Sequence, residues 1–276
     1  MKKYLVIGNP IEHSLSPKLH NYWLKRHNID AVYKKKLLEK KNLENLIQEI
    51  KDGIIQGINI TVPFKKDIYE ILMRDRNSKV SASVANTKSV NTVNLDKHGK
   101  LSGDNTDVEG FKKGLINLDY KVNGKTALVL GAGGVVPSIL EALNTLNIKS
   151  VAISNRTKEK AEEIQREWGE QFRIQEVVEW GKNPKTLDPD IIINCTSLGL
   201  KKKEQLFFDT KKHQSKLFYD VIYNPPTTNF LRDAKKNGNK VENGKMMFIY
   251  QAQRAFKIWH DIQPEIDDRV IKLLDL

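Results

Sequence analysis

Cysteine is almost absent from this chain: Cys195 is the only one among 276 residues. A single cysteine cannot form an intramolecular disulfide or a cluster of thiolate metal ligands, so the sequence favours a reducing compartment. Long apolar runs are also absent, since nowhere do about 18 apolar residues follow one another. Between its first lysines and Asn9 the chain has only YLVIG, too little for the core of a secretory signal. We therefore predict a cytoplasmic protein with no membrane partner.

The sequence lacks internal repeats, low-complexity tracts and any basic-aromatic motif typical of RNA-binding proteins. Lysine and arginine nevertheless total 46 against 34 acidic residues, a net charge of +12. Such a charge indicates either an anionic partner, such as nucleic acid, a phosphorylated cofactor or a carboxylate substrate, or solvated lysine faces. The basic clusters, such as Lys34–Lys36 and Lys201–Lys203, are short and scattered among acids. We therefore predict solvated lysines and no nucleic-acid partner.

The chain does contain an alternation of strand-length apolar runs with helix-period segments, which is typical of α/β folds. Predicted strands are KKYLVIG, AVYKKKLL, GINITV, KTALVL, KSVAIS, DIIINCT and KLFYDVIY, with a hairpin in VNTVNLDKHGKLSGDN that turns at Asp96–Gly99. Predicted helices are Pro17 to His27, NLENLIQEIKDG ended by Gly53, a segment from Lys65, Val135 to Leu146, KEKAEEIQREW, and the C-terminal segment, broken at Pro264. We expect two α/β domains, one formed by residues 1–106 with 245–276 packing back on it, the other by residues 107–244.

The stretch LVLGAGG predicts a dinucleotide site in the second domain. Residues Gly131 to Gly134 follow a hydrophobic strand and precede a helix, where glycines let the backbone approach a pyrophosphate. The third glycine of the usual motif is replaced by Val136, so a plain tight turn is the alternative. About 20 residues on, NAD sites carry an acid. This chain has Asn155, Arg156 and Thr157 there, which favours the 2′-phosphate of NADP, unless Thr157 only caps a helix and Arg156 is solvated.

Three other stretches are rich in polar residues at strand ends. They are VIGNPIEHSLSPKLHN, GINITVPFKK and SVNTV followed by GDNTD. Asn59 and Thr61 are two residues apart and share one side of a strand. His13 and His20 have no third ligand near them in sequence, so we predict no metal site. Cys195 ends an apolar strand and is interpreted as a small core residue.

The sequence resembles the shikimate dehydrogenase family. These three stretches occur in the same order as in that family, together with the motifs GAGG, SNRT, NCTSLG, DVIYNPPTT and YQAQRAF. The resemblance covers nearly the whole chain. It implies an N-terminal α/β substrate domain completed by C-terminal helices, and an inserted Rossmann domain that binds NADP(H). It also implies reversible reduction of 3-dehydroshikimate to shikimate with NADPH, on the route to aromatic amino acids, and a monomer or homodimer.

The same resemblance assigns the candidate site residues. Lys65 and Asp107 match the catalytic pair, whereas Lys66 is expected to face solvent. The expected substrate contacts are Ser14 and Ser16, which match the serines that hold the substrate carboxylate, together with Asn59, Thr61, Asn91, Tyr223 and Gln251. The expected cofactor contacts are Gly131, Ala132, Gly133, Gly134, Asn155, Arg156, Thr157, Thr196, Leu198 and Gly244. For Ser16, a structural alternative is that it caps the helix beginning at Pro17.

Two departures from the family pattern leave alternatives open. Lys88-Ser89 stands where the family usually has Gly-Ala, and Val135-Val136-Pro137 stands where small or basic residues are common. One alternative is a relative that acts on quinate or uses NAD. Another is a catalytically silent sensor that binds a shikimate-like ligand or nucleic acid. A folate-type dehydrogenase of similar build is disfavoured by HSLSP and GDNTD.

Overall fold

The computed structural model describes residues 1–201 and 203–275. Lys202, in the Lys201–Lys203 cluster, and Leu276, at the end of the predicted C-terminal segment, lie outside the described residues. The chain divides into two compact units, Met1–Gly110 with Ile249–Leu276, and Phe111–Phe248. This division lies a few residues after the limits expected from the sequence and groups Asp107 with the first unit.

The first unit is built on a mixed six-stranded sheet. Its elements are β1 (Lys2–Gly8), α1 (Ser16–Arg26), β2 (Ala31–Leu37), α2 (Leu43–Lys51), β3 (Gly57–Ile60), α3 (Lys65–Arg74), β4 (Lys79–Val80), α4 (Ala82–Thr87), β5 (Thr92–Leu95), β6 (Leu101–Asp104) and the start of α5 (Thr106–Asn117). The strand order is β2-β1-β3-β5-β6-β4. Strands β1, β2 and β3 are parallel, whereas β5 pairs antiparallel with both β3 and β6.

Local sequence explains most of these elements. Gly53 follows α2 with φ +70°, a left-handed conformation that suits glycine after a helix end. Gly99, with φ +72°, completes the hairpin turn as expected. Strand β2 is an edge strand, and its Lys34 and Lys35 are exposed. Charged edge residues discourage pairing with another chain, which gives this basic cluster a structural role.

The second unit is built on a six-stranded sheet that is parallel throughout, in the order β12-β11-β10-β7-β8-β9. Its elements after α5 are β7 (Thr126–Leu130), α6 (Val136–Thr145), β8 (Ser150–Ser154), α7 (Lys158–Trp168), β9 (Ile174–Val178), β10 (Ile191–Asn194), β11 (Leu217–Asp220), α8 (Asn229–Lys236) and β12 (Lys240–Glu242). Strands β8, β10 and β11 are buried along their whole length. Such continuous apolar strands are typical of parallel sheets covered by helices on both faces.

The C-terminal segment forms α9 (Lys245–His260) and α10 (Asp268–Leu273), with the expected break around Pro264. The part from Ile249 onward belongs to the first unit, where Trp23 of α1 packs edge-on against Phe256 with ring centroids 5.7 Å apart. Arg26 forms ion pairs with Glu265 and Asp267. These contacts attach the end of the chain to α1. Among the described residues, no helix is both long and apolar enough to span a membrane.

Lys88 lies in a left-handed conformation, φ 49° and ψ 36°, at the C-terminal cap of α4. An L-residue pays about 1 kcal/mol in this region because its Cβ crowds the backbone, whereas glycine does not. The neighbouring Ser89 hydroxyl is buried, with no hydrogen-bond partner in the part of the chain that the structure describes. Lys88 and Ser89, which stand in place of the family's Gly-Ala pair, therefore both lower the stability of the fold.

We expect Lys88→Gly to raise the free energy of unfolding by about 1 kcal/mol, because the left-handed strain is removed. Urea denaturation of the variant and the parent chain measures this. Lys160→Gly is the matched control, since Lys160 is exposed within α7 and glycine there should destabilise by about 1 kcal/mol. A Lys88→Gly variant no more stable than the parent would contradict the assignment of strain.

Candidate active site

The loops that follow β1 and β3 lie at the same edge of the sheet, because the two strands are parallel neighbours. Gly8 ends β1, and a Cβ added there would lie 2.5 Å from the Thr61 Cγ2 atom. Glycine is thus required for the close approach of the first loop to the residue just after β3. This approach brings the segment carrying Ser14 and Ser16 to the segment carrying Thr61 and Lys65.

Ser14 and Ser16 are hydrogen-bonded to each other. The Ser14 hydroxyl donates to Ser16 Oγ at 3.2 Å and accepts from the Ser16 backbone N–H at 3.3 Å. The alternative that Ser16 caps α1 is wrong, because Leu15 occupies the N-cap position and makes no side-chain cap bond. Ser16 is the first residue of the helix and is buried, while Ser14 is half-buried. Two adjacent hydroxyls on a loop can hold the two oxygens of one carboxylate.

Asn59 and Asn91 belong to a buried polar network in the first unit. Asn59 Nδ2 donates to Thr92 Oγ1 at 2.9 Å, and the Thr92 hydroxyl donates to Asn91 Oδ1 at 3.0 Å. Asn91 Nδ2 donates to Thr106 Oγ1 at 3.0 Å, and the Thr106 hydroxyl lies 3.4 Å from Gln251 Oε1. Three of the predicted substrate contacts are therefore joined through two threonines that the sequence analysis did not select.

Lys65 and Asp107 form an ion pair in the same unit, with only 11% of each side chain exposed. Asp107 lies in the first turn of α5, where a carboxylate is favoured by the helix dipole. Lys65 is the first residue of α3, at the positive end of the dipole of α3 itself, where a cation is disfavoured. The carboxylate of Asp107 compensates for this placement. Lys66, as expected, is exposed.

The second unit holds a glycine turn between β7 and α6. Gly131 has φ +116°, and its added Cβ would lie 3.1 Å from the Cys195 carbonyl oxygen, so only glycine fits this approach. Counting atoms of residues 1–201 and 203–275, a Cβ at Gly134 would meet none within 4 Å, and one at Gly133 would meet the Cys195 carbonyl oxygen alone, at 4.0 Å. Ala132 lies between them, half-buried. The open space beside this backbone fits a pyrophosphate next to a helix N-terminus.

The loop after β8 carries the residues predicted to bind a 2′-phosphate. Arg156 and Thr157 are exposed and Asn155 is half-buried, its Nδ2 donating to the Thr157 carbonyl oxygen at 2.8 Å. Thr157 occupies the N-cap position of α7, but its side chain makes no cap bond. The guanidinium and hydroxyl can therefore turn toward a phosphate. Val136 and Pro137 are buried in α6. The departure from the family pattern at Val135-Val136-Pro137 is therefore explained by the packing of this unit.

A second cluster in this unit positions the segment after β10. The Thr196 hydroxyl donates to Asn194 Oδ1 at 2.7 Å and accepts from the Leu198 N–H at 3.1 Å. Asn194 Nδ2 donates to Asp220 Oδ1 at 3.0 Å, and the Thr228 hydroxyl donates to Asp220 Oδ2 at 2.7 Å. Asn194 and Asp220 were missed in the sequence because an acid or amide at a strand end has no distinctive spacing.

Tyr223 and Gly244, the remaining predicted residues, also lie in the second unit. Tyr223 stacks on Phe248 with ring centroids 4.5 Å apart. A Cβ on Gly244 would lie 2.1 Å from the Val221 carbonyl oxygen, so close packing explains the glycine there. Cys195 is buried, and burial raises the pKa of its thiol, in keeping with a core residue. Within the described chain, no group of three or more His, Cys, Asp or Glu is arranged to hold a metal ion.

Family models match both units. The model described as "Shikimate dehydrogenase substrate binding domain" matches residues 6–93, and the model described as "Shikimate / quinate 5-dehydrogenase" matches residues 115–226. The chain is 50% identical over 276 residues to a shikimate dehydrogenase (NADP(+)) of Pelagibacter ubique. The aligned region covers 100% of this chain and 99% of that protein.

Solved structures of similar proteins extend this likeness to the fold. A shikimate dehydrogenase in complex with NADP+ is 32% identical, with a TM-score of 0.88, covering 100% of this chain and 95% of the other. A shikimate 5-dehydrogenase from Listeria monocytogenes, in complex with shikimate and NAD, is 26% identical, also with a TM-score of 0.88, covering 99% and 96%.

We predict a pH-dependent stability that originates at Asp220. Burial raises the pKa of this carboxyl to about 6 from its ordinary value of 3.8, so the folded state holds a proton that the unfolded state releases. The stabilising effect is complete below about pH 4 and is lost as the pH rises through about 6. Relative to Asp220→Asn, the parent should lose about 2 to 3 kcal/mol of unfolding free energy between pH 4 and pH 7. Urea titrations at the two pH values measure it, and identical pH dependence in both proteins would contradict it.

Proposed function

The chain belongs to the shikimate dehydrogenase family, and we propose that Lys65 and Asp107 are its catalytic pair. It catalyses the NADP-dependent interconversion of shikimate and 3-dehydroshikimate, an oxidoreductase reaction at a CH–OH group in aromatic amino acid biosynthesis. The observation that carries the proposal is the ion pair itself, which is nearly closed to solvent in the unit that contains the match to the substrate-binding model.

The chemistry explains why a lysine and a carboxylate are needed. When bound, NADPH supplies a hydride to the substrate carbonyl carbon. The carbonyl oxygen then gathers negative charge and must receive a proton. The Lys65 ammonium can stabilise that charge and donate the proton. Asp107 holds that ammonium in place and balances its charge. In the opposite direction, neutral Lys65 accepts the proton of the substrate hydroxyl.

We assign substrate binding to the polar groups of the first unit. The adjacent hydroxyls of Ser14 and Ser16 hold the substrate carboxylate, and Asn59, Asn91 and Gln251 bond ring hydroxyls, as does Thr61, which is half-buried just beyond β3. Tyr223 is retained as a substrate contact on the family resemblance. The network that joins the asparagines and Gln251 supports the assignment, because rigid donors and acceptors distinguish the hydroxyls of one ring from another.

We assign NADP(H) to the second unit. The open backbone at Gly133 and Gly134 fits the pyrophosphate, and Arg156, with Asn155 and Thr157, would pair with the 2′-phosphate. Thr196, Leu198 and Gly244 are assigned to the ribose and nicotinamide. The Thr196 hydroxyl supports this, since its bonds to Asn194 and the Leu198 N–H fix the conformation of that segment.

Quinate is the second candidate substrate, because the family model that matches residues 115–226 is described for both acids. A monomer or homodimer and a cytoplasmic location complete the proposal. The buried, unpaired thiol of Cys195 is compatible with a reducing compartment.

Replacing Lys65 by methionine should lower the turnover number at least about 100-fold, since the proton donor is lost while the apolar stem is kept. The dissociation constant of NADP+ should change less than about twofold. Steady-state rates and cofactor titration by fluorescence measure the two quantities. Lys66→Met, at the exposed neighbour, is the control and should retain parental turnover. Near-parental turnover in Lys65→Met would remove this lysine from the mechanism.

Arg156→Ala should weaken NADPH binding by about 10-fold or more, because a charged hydrogen bond to phosphate is lost. NADH lacks that phosphate, so its affinity should stay within about twofold of the parent value. Isothermal titration calorimetry with both cofactors measures the difference between the two affinity changes. Arg166→Ala is the control, because Arg166 is exposed on α7. Equal weakening of both cofactors would refute the assignment of Arg156 to the 2′-phosphate.

A further inference from the structure

The stretch from Val6 to Asn21 contains residues that the proposed chemistry does not use. Asn21 is one: its Nδ2 donates to the carbonyl oxygens of Pro17 and Tyr33, at 2.8 and 2.9 Å, and its Oδ1 accepts from the Tyr33 N–H at 3.0 Å. Tyr33 lies on β2, the outermost strand of this sheet among the described residues. The amide of Asn21 therefore takes the place of a neighbouring strand and fixes the Tyr33 backbone to α1.

His20 fixes the ring of Tyr33. The two rings stack with centroids 4.3 Å apart and an interplanar angle of 3°. Both side chains are buried. Burial lowers the pKa of His20 to about 3, so the stack is between two neutral rings at ordinary pH. With its backbone held by Asn21 and its ring covered by His20, Tyr33 has one position for its hydroxyl.

That hydroxyl meets one of the predicted substrate contacts. It donates to Asn59 Oδ1 at 2.7 Å. Burial of the Tyr33 ring raises the phenol pKa well above its ordinary value, so the hydroxyl keeps the proton that it donates. Strands β2 and β3, which are not neighbours in the sheet, are thus joined by one buried phenol.

The network also determines which way the Asn59 amide faces. The Thr106 N–H and the Thr92 hydroxyl both donate to Asn91 Oδ1, at 2.8 and 3.0 Å. Asn59 Nδ2 lies 3.3 Å from the Asn91 backbone carbonyl oxygen, which can only accept, and 2.9 Å from Thr92 Oγ1, so Nδ2 faces this side. Asn59 Oδ1 must then face Tyr33, whose O–H satisfies one lone pair and leaves the other for a substrate hydroxyl.

We propose that Tyr33 is a positioning residue for substrate binding, because its fixed hydroxyl orients the Asn59 amide toward the bound acid. This inference rests on the proposed function, in which Asn59 contacts the substrate. Tyr33 itself does not touch the reacting atoms. Its removal should weaken substrate binding and leave the chemistry of Lys65 and the cofactor unit unchanged.

Tyr33→Phe keeps the ring and removes only the hydroxyl. We expect the KM for shikimate to rise about 5- to 10-fold, the effect of one lost hydrogen bond in a buried network, while kcat and the KM for NADP+ change less than about twofold. Tyr4→Phe is the matched control, since Tyr4 is a buried tyrosine of the same aromatic cluster that contacts Trp259, and it should leave all three constants unchanged. A purely structural role would instead lower kcat and the unfolding free energy together.

A double-mutant cycle with Asn59→Ala separates the possible failures. If Tyr33 acts through Asn59, Tyr33→Phe should add less than about twofold to the KM for shikimate once Asn59 is alanine. If Asn59→Ala raises this KM but Tyr33→Phe alone does not, the positioning role is wrong and the substrate site stands. If Asn59→Ala leaves the KM unchanged, the substrate assignment itself fails. Full additivity of the two changes would also overturn the inference.

Discussion

The first unit depends on one unfavourable arrangement, a lysine ammonium that is almost closed to solvent at the positive end of a helix. The Asp107 carboxylate meets this ammonium and offsets its unfavourable placement, with 11% of each side chain exposed. The hairpin of β5 and β6 and the start of α5 are needed to deliver that carboxylate to α3. A structural ion pair of this kind is a weak source of stability, since desolvation offsets much of the attraction. Its chemistry explains its presence better than its contribution to folding.

A second constraint is the direction of the hydrogen bonds around this pair. The Thr106 backbone N–H, one residue before Asp107, donates to Asn91 Oδ1, and the Asn91 backbone carbonyl accepts from Asn59 Nδ2. The start of α5, which carries the proposed catalytic carboxylate, therefore also orients the amide of Asn91, a proposed substrate contact. Because a backbone N–H only donates and a backbone carbonyl only accepts, a reversed amide at Asn91 or Asn59 would leave a buried polar group unpaired.

The sequence predicted the parts of this architecture that depend on local chemistry. The glycine turn after β7 was recognisable from its own residues, because glycines between a strand and a helix let the backbone approach a pyrophosphate. The roles expected for the paired serines and for Lys65 came instead from the family resemblance. Tyr33 was not recognisable, since its contact with Asn59 joins residues 26 apart and nothing in AVYKKKLL marks one aromatic residue as polar in role. The helix α5 was missed because a domain boundary was expected there. Ser16 was assigned an alternative role as a cap from its place before Pro17, but the helix begins one residue earlier than that pattern assumes.

The central claim, that one unit binds shikimate beside a lysine–aspartate pair and the other binds NADP, is tested most directly by initial rates of nicotinamide reduction. The purified chain would be assayed with shikimate and with quinate, each with NADP+ and with NAD+. The account predicts turnover mainly with shikimate and NADP+. Turnover mainly with quinate or with NAD+ would contradict the assigned specificity, and no turnover in any of the four combinations would contradict the assignment of catalysis.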